Sequence, residues 1–283
     1  MPGYPTVRQV LFVCLVPVTL AQFVLFPVFA PLSPRLGLIA AHLGIIGVLL
    51  LFVRHSRCRS EDVFLLNATR PIVIVATIPA AVGCALIAAQ IDLTVARLLS
   101  QVHFELPLPV QRTLIELQLV GSLTEGASTL AAVVLLPGLG EELLFRGFAF
   151  TALYVRYGAV RALVGSSLIF AAVHLSPLQL PAHLFIGLFL GALVYWTHSI
   201  YPAMLAHMVN NLVSVVGVNI RTYAGTDVLG SEQPLPLGVL LAAFVLLWFG
   251  IRTMARQLPI MPLVMPEARM TFEGRGESLP PTR

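Results

Sequence analysis

Gly140-Glu141-Glu142-Leu143-Leu144-Phe145-Arg146-Gly147 puts three ionisable residues ahead of an apolar run, Phe148 to Val155, in a chain where 11% of residues are charged. In hydrocarbon each such residue costs on the order of 2.5–3.5 kcal/mol on the insertion scale, so all three need partners. Glu142 and Arg146 are four apart and share a helix face, which supplies one pair directly. Glu141 lies about 100° around the helix from Glu142 and faces a different neighbour, which leaves one carboxylate for other work. Read as heading a helix over 141–157, it also gains from the positive end of the macrodipole.

Composition sets the environment. The 283 residues are 58% hydrophobic with a mean hydropathy of +0.91. Soluble domains are about half apolar and about a quarter charged, so this is the composition of a polytopic membrane protein. All cationic residues other than histidine are arginine, and the net charge of +4 is spread over loops and tail. That distribution fits positive-inside orientation better than a nucleic-acid surface. Cys14, Cys58 and Cys84 have no metal-type spacing and read as packing residues rather than a disulfide framework.

Apolar runs of spanning length recur to about residue 251. They cover about 9–30, read as an uncleaved first span, then 36–53 and 71–91. Residues 92–118 interleave Asp92, Arg97, Glu105, Arg112 and Glu116 with apolar residues, and read as one or two amphipathic helices at the interface. A further run over about 119–136 leads to a break at Pro137-Gly138-Leu139-Gly140. Helices follow at about 141–157, 159–175, 181–197, 201–218 and 235–251. The expected fold is all-α, a membrane bundle of about eight embedded helices. It divides into N-terminal helices with an amphipathic segment (1–118), a core (119–218), a loop and last helix (219–257) and a disordered tail (258–283).

Orientation does not close on this count. With Arg8 and the Arg54–Arg59 cluster inside, four spans put Glu141 on the cytoplasmic side. Counting back from Arg252 and Arg256, with Arg156 and Arg161 also inside, puts it on the other. Either one helix is re-entrant or one arginine loop breaks the rule, and region 92–136 is the suspect.

Two more helices carry polar residues. Phe170 and His174 share one face, as do His207 and Asn211. Intramembrane ionisable residues normally point into the bundle and pair with one another, so Glu141, His174, His207 and Asn211 converge on one interior point. Such a set supports water activation: a carboxylate base, a histidine that shares the proton, and donors for a tetrahedral oxyanion. No Ser or Cys sits in a nucleophile setting. Glu, His and His could bind zinc, but the HExxH spacing is absent. Taken singly, each residue has a structural reading. Glu142–Arg146 fixes the helix, the histidines cap or bond backbone carbonyls, and Asn211 is interhelical glue. His183, heading a helix with Gly187 and Gly191 in GxxxG spacing, reads as packing. His42, His55, His103 and His198 read as interface or loop residues.

The order and spacing of Glu141-Glu142-x-x-x-Arg146, Phe170-x-x-x-His174 and His207-x-x-x-Asn211 resemble the three motifs of the CPBP intramembrane peptidases. These are the CAAX prenyl endopeptidases and their bacterial relatives, also called the Abi family, and the likeness spans about residues 120–218. It implies a membrane peptidase that uses a glutamate-activated water, with no metal, cofactor or covalent nucleophile. Glu141 would be the general base assisted by His174, and His207 and Asn211 oxyanion stabilisers. Glu142, Arg146 and Phe170 would be structural support. The substrate would be a membrane protein or lipidated peptide, and the location a multi-pass position in a bacterial inner membrane. The family also holds immunity and scaffolding members, so a non-catalytic protein retaining the same polar core is the alternative. Transport is disfavoured by the lack of paired broken helices in matching halves.

Overall fold

A computed structural model describes residues 4–56, 60–225 and 234–257. The expected disordered tail, Cys58 and part of the 219–234 loop lie outside the described residues. The described chain is an all-α polytopic membrane bundle. Seven helices are long and apolar enough to cross a membrane, and an eighth, Ala159–Ala172, is shorter and apolar.

In chain order these are α1 (Val7–Phe29), α2 (Pro34–His55), the short α3 (Ser60–Phe64), α4 (Pro71–Ser100) and the short α5 (Leu108–Glu116). Then come α6 (Leu123–Tyr157), α7 (Ala159–Ala172), α8 (Leu180–Thr197), α9 (Tyr201–Tyr223) and α10 (Leu237–Ala255). Prolines open α2, α4, α8 and α9 within the first turn, where a missing N–H costs nothing.

The centre is α6. Every residue from Leu144 to Leu153 is buried, the signature of a helix surrounded by others. Its Phe145, Phe148 and Ala152 pack with α1, α2 and Phe170. Its Phe150 and Leu153 join a second cluster with α4, α8, α9 and Met254 of α10. The outer faces carry the reverse pattern: Phe244, Val245, Trp248 and Phe249 of α10 are exposed, as lipid-facing side chains are.

Two sequence expectations change. Residues 92–100 are not a separate amphipathic helix but the last turns of α4. At 1.5 Å per residue, that 30-residue helix is about 45 Å long, so its charged end projects past a hydrocarbon core of about 30 Å. The break before the glutamates is also absent, because α6 runs unbroken for 35 residues. Glu141 therefore sits near its midpoint, and the expected benefit from a helix N-terminus does not apply.

Pro137 is tolerated because its loss is repaired. It cannot donate to the carbonyl of Val133 four residues back, and Asn211 Nδ2 donates to that carbonyl instead, at 2.9 Å. The glycines beside it serve close packing. A Cβ on Gly138 would lie 2.5 Å from Met208 of α9, and one on Gly140 2.8 Å from Ile46 of α2. Helical turns of π type over Leu130–Leu135 and Leu143–Ala149 flank the glutamate pair, a feature found frequently at functional sites.

A continuous α6 also settles the span count. The hydrogen bonds define two faces. On one, Asn67 Nδ2 donates to His198 O (2.7 Å), Ile200 N to Leu65 O (3.1 Å) and Arg156 Nη2 to Tyr4 O (3.3 Å). On the other, Asn219 Nδ2 donates to Gln118 O (2.8 Å), and Arg35 donates to the carbonyls of Glu116 and Leu119. Arg8, the end of α2, Arg156, Arg161 and the end of α10 all fall on the first face, so both countings agree once 119–136 and 141–157 are one crossing.

Helix α10 lies on α4 through glycines. A Cβ on Gly250 would come within 2.6 Å of Ala80 Cβ and 2.7 Å of Ala76 O, whereas one on Gly47 meets nothing within 4 Å. Gly250→Leu is expected to cost about 1–3 kcal/mol by overpacking and to lower the detergent melting temperature. Gly47→Leu should melt with wild type, and equal melting of both would refute this packing.

Candidate active site

Glu141 is reached from three directions. His42 Nε2 of α2 lies 3.0 Å from Oε1. His174 Nε2, on the connection after α7, lies 3.9 Å from Oε2. His207 of α9 lines the same cavity of about 220 Å³, together with His183, Asn210, Asn211 and Ser214. Glu141 Oε2 has no hydrogen-bond partner among the described residues.

Glu142 turns to the other side, as its neighbouring helix position requires. Its Oε1 accepts from Arg146 Nη1 at 2.9 Å and from His207 Nδ1 at 2.8 Å. Glu142 and Arg146 are both wholly buried. Arg146 Nη2 also donates to Gly187 O at 3.2 Å, and the guanidinium carbon sits 4.2 Å over the Phe170 ring. Buried charge is tolerable only with such pairing, and the aromatic face adds a cation–π contact.

Phe170 is the hub of the aromatic packing. Its ring contacts Phe145, His174 and His207 at centroid distances of 5.4, 4.9 and 5.9 Å. The backbone fixes the histidines next. The Nδ1 atoms of His174, His183 and His42 each face the carbonyl four residues earlier, at 2.8, 2.8 and 2.9 Å. Each Nδ1–H therefore donates to its own helix, and each Nε2 is directed elsewhere. Gln22 Nε2 of α1 donates to Val173 O at 2.7 Å and so pins the connection that carries His174.

All four expected site residues line one cavity. Two histidines missed in the sequence join them. His42, read as an interface or loop residue, is buried against Glu141. His183, read as packing, stacks on His174 with ring centroids 3.9 Å apart. Its GxxxG glycines do pack: a Cβ on Gly187 would lie 3.0 Å from Ser167 Cβ, and one on Gly191 2.5 Å from Leu163. His42 falls in an apolar run where its one polar neighbour at helical spacing, Arg35, is two turns away.

Residues 124–213 match the family model described as type II CAAX prenyl endopeptidase, Rce1-like. Over these residues, 90 of 283, the chain is similar to this CAAX protease family. Searches of curated proteins and of solved structures give no match. The Rce1-like match starts one residue into α6 and ends within α9, so it takes in the glutamates, the Phe170–His174 helix and the His207–Asn211 helix. His42 lies outside it. The match supports a CAAX-type intramembrane protease in general.

Arg146→Ala would strand Glu142 and His207 in low dielectric. A loss of about 3–5 kcal/mol is expected for breaking a buried pair, read as a fall in folded yield and melting temperature. Glu142→Gln combined with Arg146→Met should recover part of it. An Arg146→Ala protein as stable as wild type would show that the pair contributes nothing to the fold.

Proposed function

We propose that the Rce1-like core hydrolyses a peptide bond of a membrane-associated protein by a water that Glu141 activates. The observation that carries this reading is Glu141 itself, with one oxygen held by His42 and the other without a hydrogen-bond partner, 3.9 Å from His174. A gap of that size suits one water bridging the two groups. Glu141 takes a proton from the water, the oxygen attacks the peptide carbonyl carbon, and the C–N bond breaks as the proton passes to the leaving nitrogen. His174 shares that proton on the way.

His207 is set for the oxyanion only in its doubly protonated ring. Nδ1–H is committed to Glu142, so a donor facing the cavity must be Nε2–H, with the Glu142 carboxylate as counter-charge. Asn211 Nδ2 has one hydrogen on Val133 O and a second for the cavity. His42 is a positioning residue. Both its nitrogens face acceptors, so the His42–Glu141 pair holds one proton beyond the neutral ring and the carboxylate.

The mechanism is proposed as metal-independent. Among the described residues no group of three His, Cys, Asp or Glu side chains forms a metal-holding set. The catalytic core is assigned to 119–218, and the location to a bacterial inner membrane. A second reading, a non-catalytic scaffold or immunity protein, draws on Asn211 and His207, each bonded to a structural partner.

The test is a cleavage assay in liposomes with metal content measured. Glu141→Gln should abolish hydrolysis at unchanged folded yield, since an amide cannot accept the proton. His207→Ala is expected to cost about 10²–10³ in rate, as one oxyanion donor does. His42→Ala should cost about 10–100-fold, by analogy with losing the partner that orients a ligand. Bound zinc at stoichiometry, with activity lost on chelation and restored by metal, would replace the acid–base roles with ligation. No cleavage by wild type would favour the scaffold.

A further inference from the structure

The lining of the cavity is biased toward one face of the membrane. Helix α9 runs from Tyr201 on the face of His198 and Asn67 to Tyr223 on the face of Gln118. Along it the cavity is lined by His207, then Asn210 and Asn211, then Ser214. The lining thus advances about 10 Å toward the Gln118 face, at 1.5 Å per residue. The other helices agree. Leu38 and His42 lie one and two turns from the start of α2, and His183 one turn from the start of α8, both starts being on that same face. Gln118, in the connection itself, takes part in the rim through its Oε1, which accepts from exposed Ser214 Oγ at 2.7 Å.

Helix α7 keeps this end open. Its 14 residues give about 21 Å, short of a hydrocarbon core of about 30 Å. It starts at Ala159 beside the Arg156 face, so the connection bearing His174 ends inside the membrane thickness, beneath the Gln118 face. The rest of the lining is neutral at this mouth: Gln118, Asn210, Asn211 and Ser214.

The arginines mark which face is which. Arg8, Arg54, Arg70 and Arg156, then Arg161, Arg252 and Arg256, lie at helix ends or short connections on the face away from the mouth. The mouth face has Arg35, Arg97, Arg112 and Arg221. Of these Arg35 is buried, its Nε donating to Thr129 Oγ1 at 2.8 Å and its Nη2 to two backbone carbonyls. Arginine excess near span ends sets orientation, and acidic residues contribute little. The arginine-rich face is therefore cytoplasmic.

We propose that the site opens to the extracytoplasmic face, and that its substrate is a membrane-anchored polypeptide cut near its extracytoplasmic membrane boundary. A lipid-modified tail presented from the cytoplasm would meet the closed end. The chemistry rests on the peptidase reading above, but the sidedness does not.

Substituted-cysteine labelling tests the sidedness without turnover. On a Cys14→Ala, Cys58→Ala, Cys84→Ala background, Ser214→Cys and Arg161→Cys are each treated with a membrane-impermeant maleimide. Spheroplasts and inverted inner-membrane vesicles of a bacterial host are compared. Ser214→Cys is expected to react in spheroplasts and Arg161→Cys only in inverted vesicles. Ser214→Cys reacting only in inverted vesicles would overturn the proposal. So would its failure to react from either side while Arg161→Cys labels, since the mouth would be shut. Reaction of both from both sides would show dual insertion and equally sink a fixed sidedness. The same labelling on a Glu141→Gln protein separates the two readings: the expected pattern with no cleavage by the active chain would leave the sidedness standing and refute the peptidase.

Discussion

The structure depends on how an arginine and two adjacent glutamates are accommodated in the middle of a membrane-spanning helix. The Born cost of moving one such ion into low dielectric exceeds the net stability of a typical domain. Arg146 and Glu142 meet that cost together, and only because four other groups assist. His207 and Gly187 supply hydrogen-bond partners, Phe170 supplies an aromatic face, and the close-packed wall of α8 excludes lipid. The partners come from three different helices, α7, α8 and α9. The pair therefore fixes α7, α8 and α9 around α6 before any chemistry is considered, and Glu141 inherits a cavity whose walls are already placed.

Much of this was legible in the sequence because the cost of charge in hydrocarbon is large and sign-definite. Glu142 and Arg146 had to pair, and i,i+4 spacing named the partner. His174, His207 and Asn211 stood out because polar residues are rare in apolar runs. Spans were readable for the same reason. The failures share a different cause. Pro137 with two glycines reads as a break by local rules, and tertiary contacts reverse that: Asn211 restores the carbonyl bond, and the glycines admit Met208 and Ile46. His42 met the same criterion in the run 36–53 but stood outside the three paired motifs, and its partner 99 residues away was not assigned to it. The misjudged break then split one crossing into two, and that single error produced the conflict over orientation.

The Pro137–Asn211 link also changes what a loss of function at each position means. Asn211 both faces the cavity and satisfies the carbonyl that Pro137 frees, so removing its side chain leaves a part-buried acceptor without that partner. His207 holds Glu142 as well as facing the cavity, so its loss also weakens the ion pair. Neither residue can separate catalysis from support by a single substitution. Glu141 can. Its carboxylate is bonded to His42 through one oxygen and makes no other hydrogen bond among the described residues, and a glutamine keeps the shape and the acceptor oxygen while losing the ability to take a proton. In this fold the residue with the fewest structural obligations is the one on which a functional claim must rest.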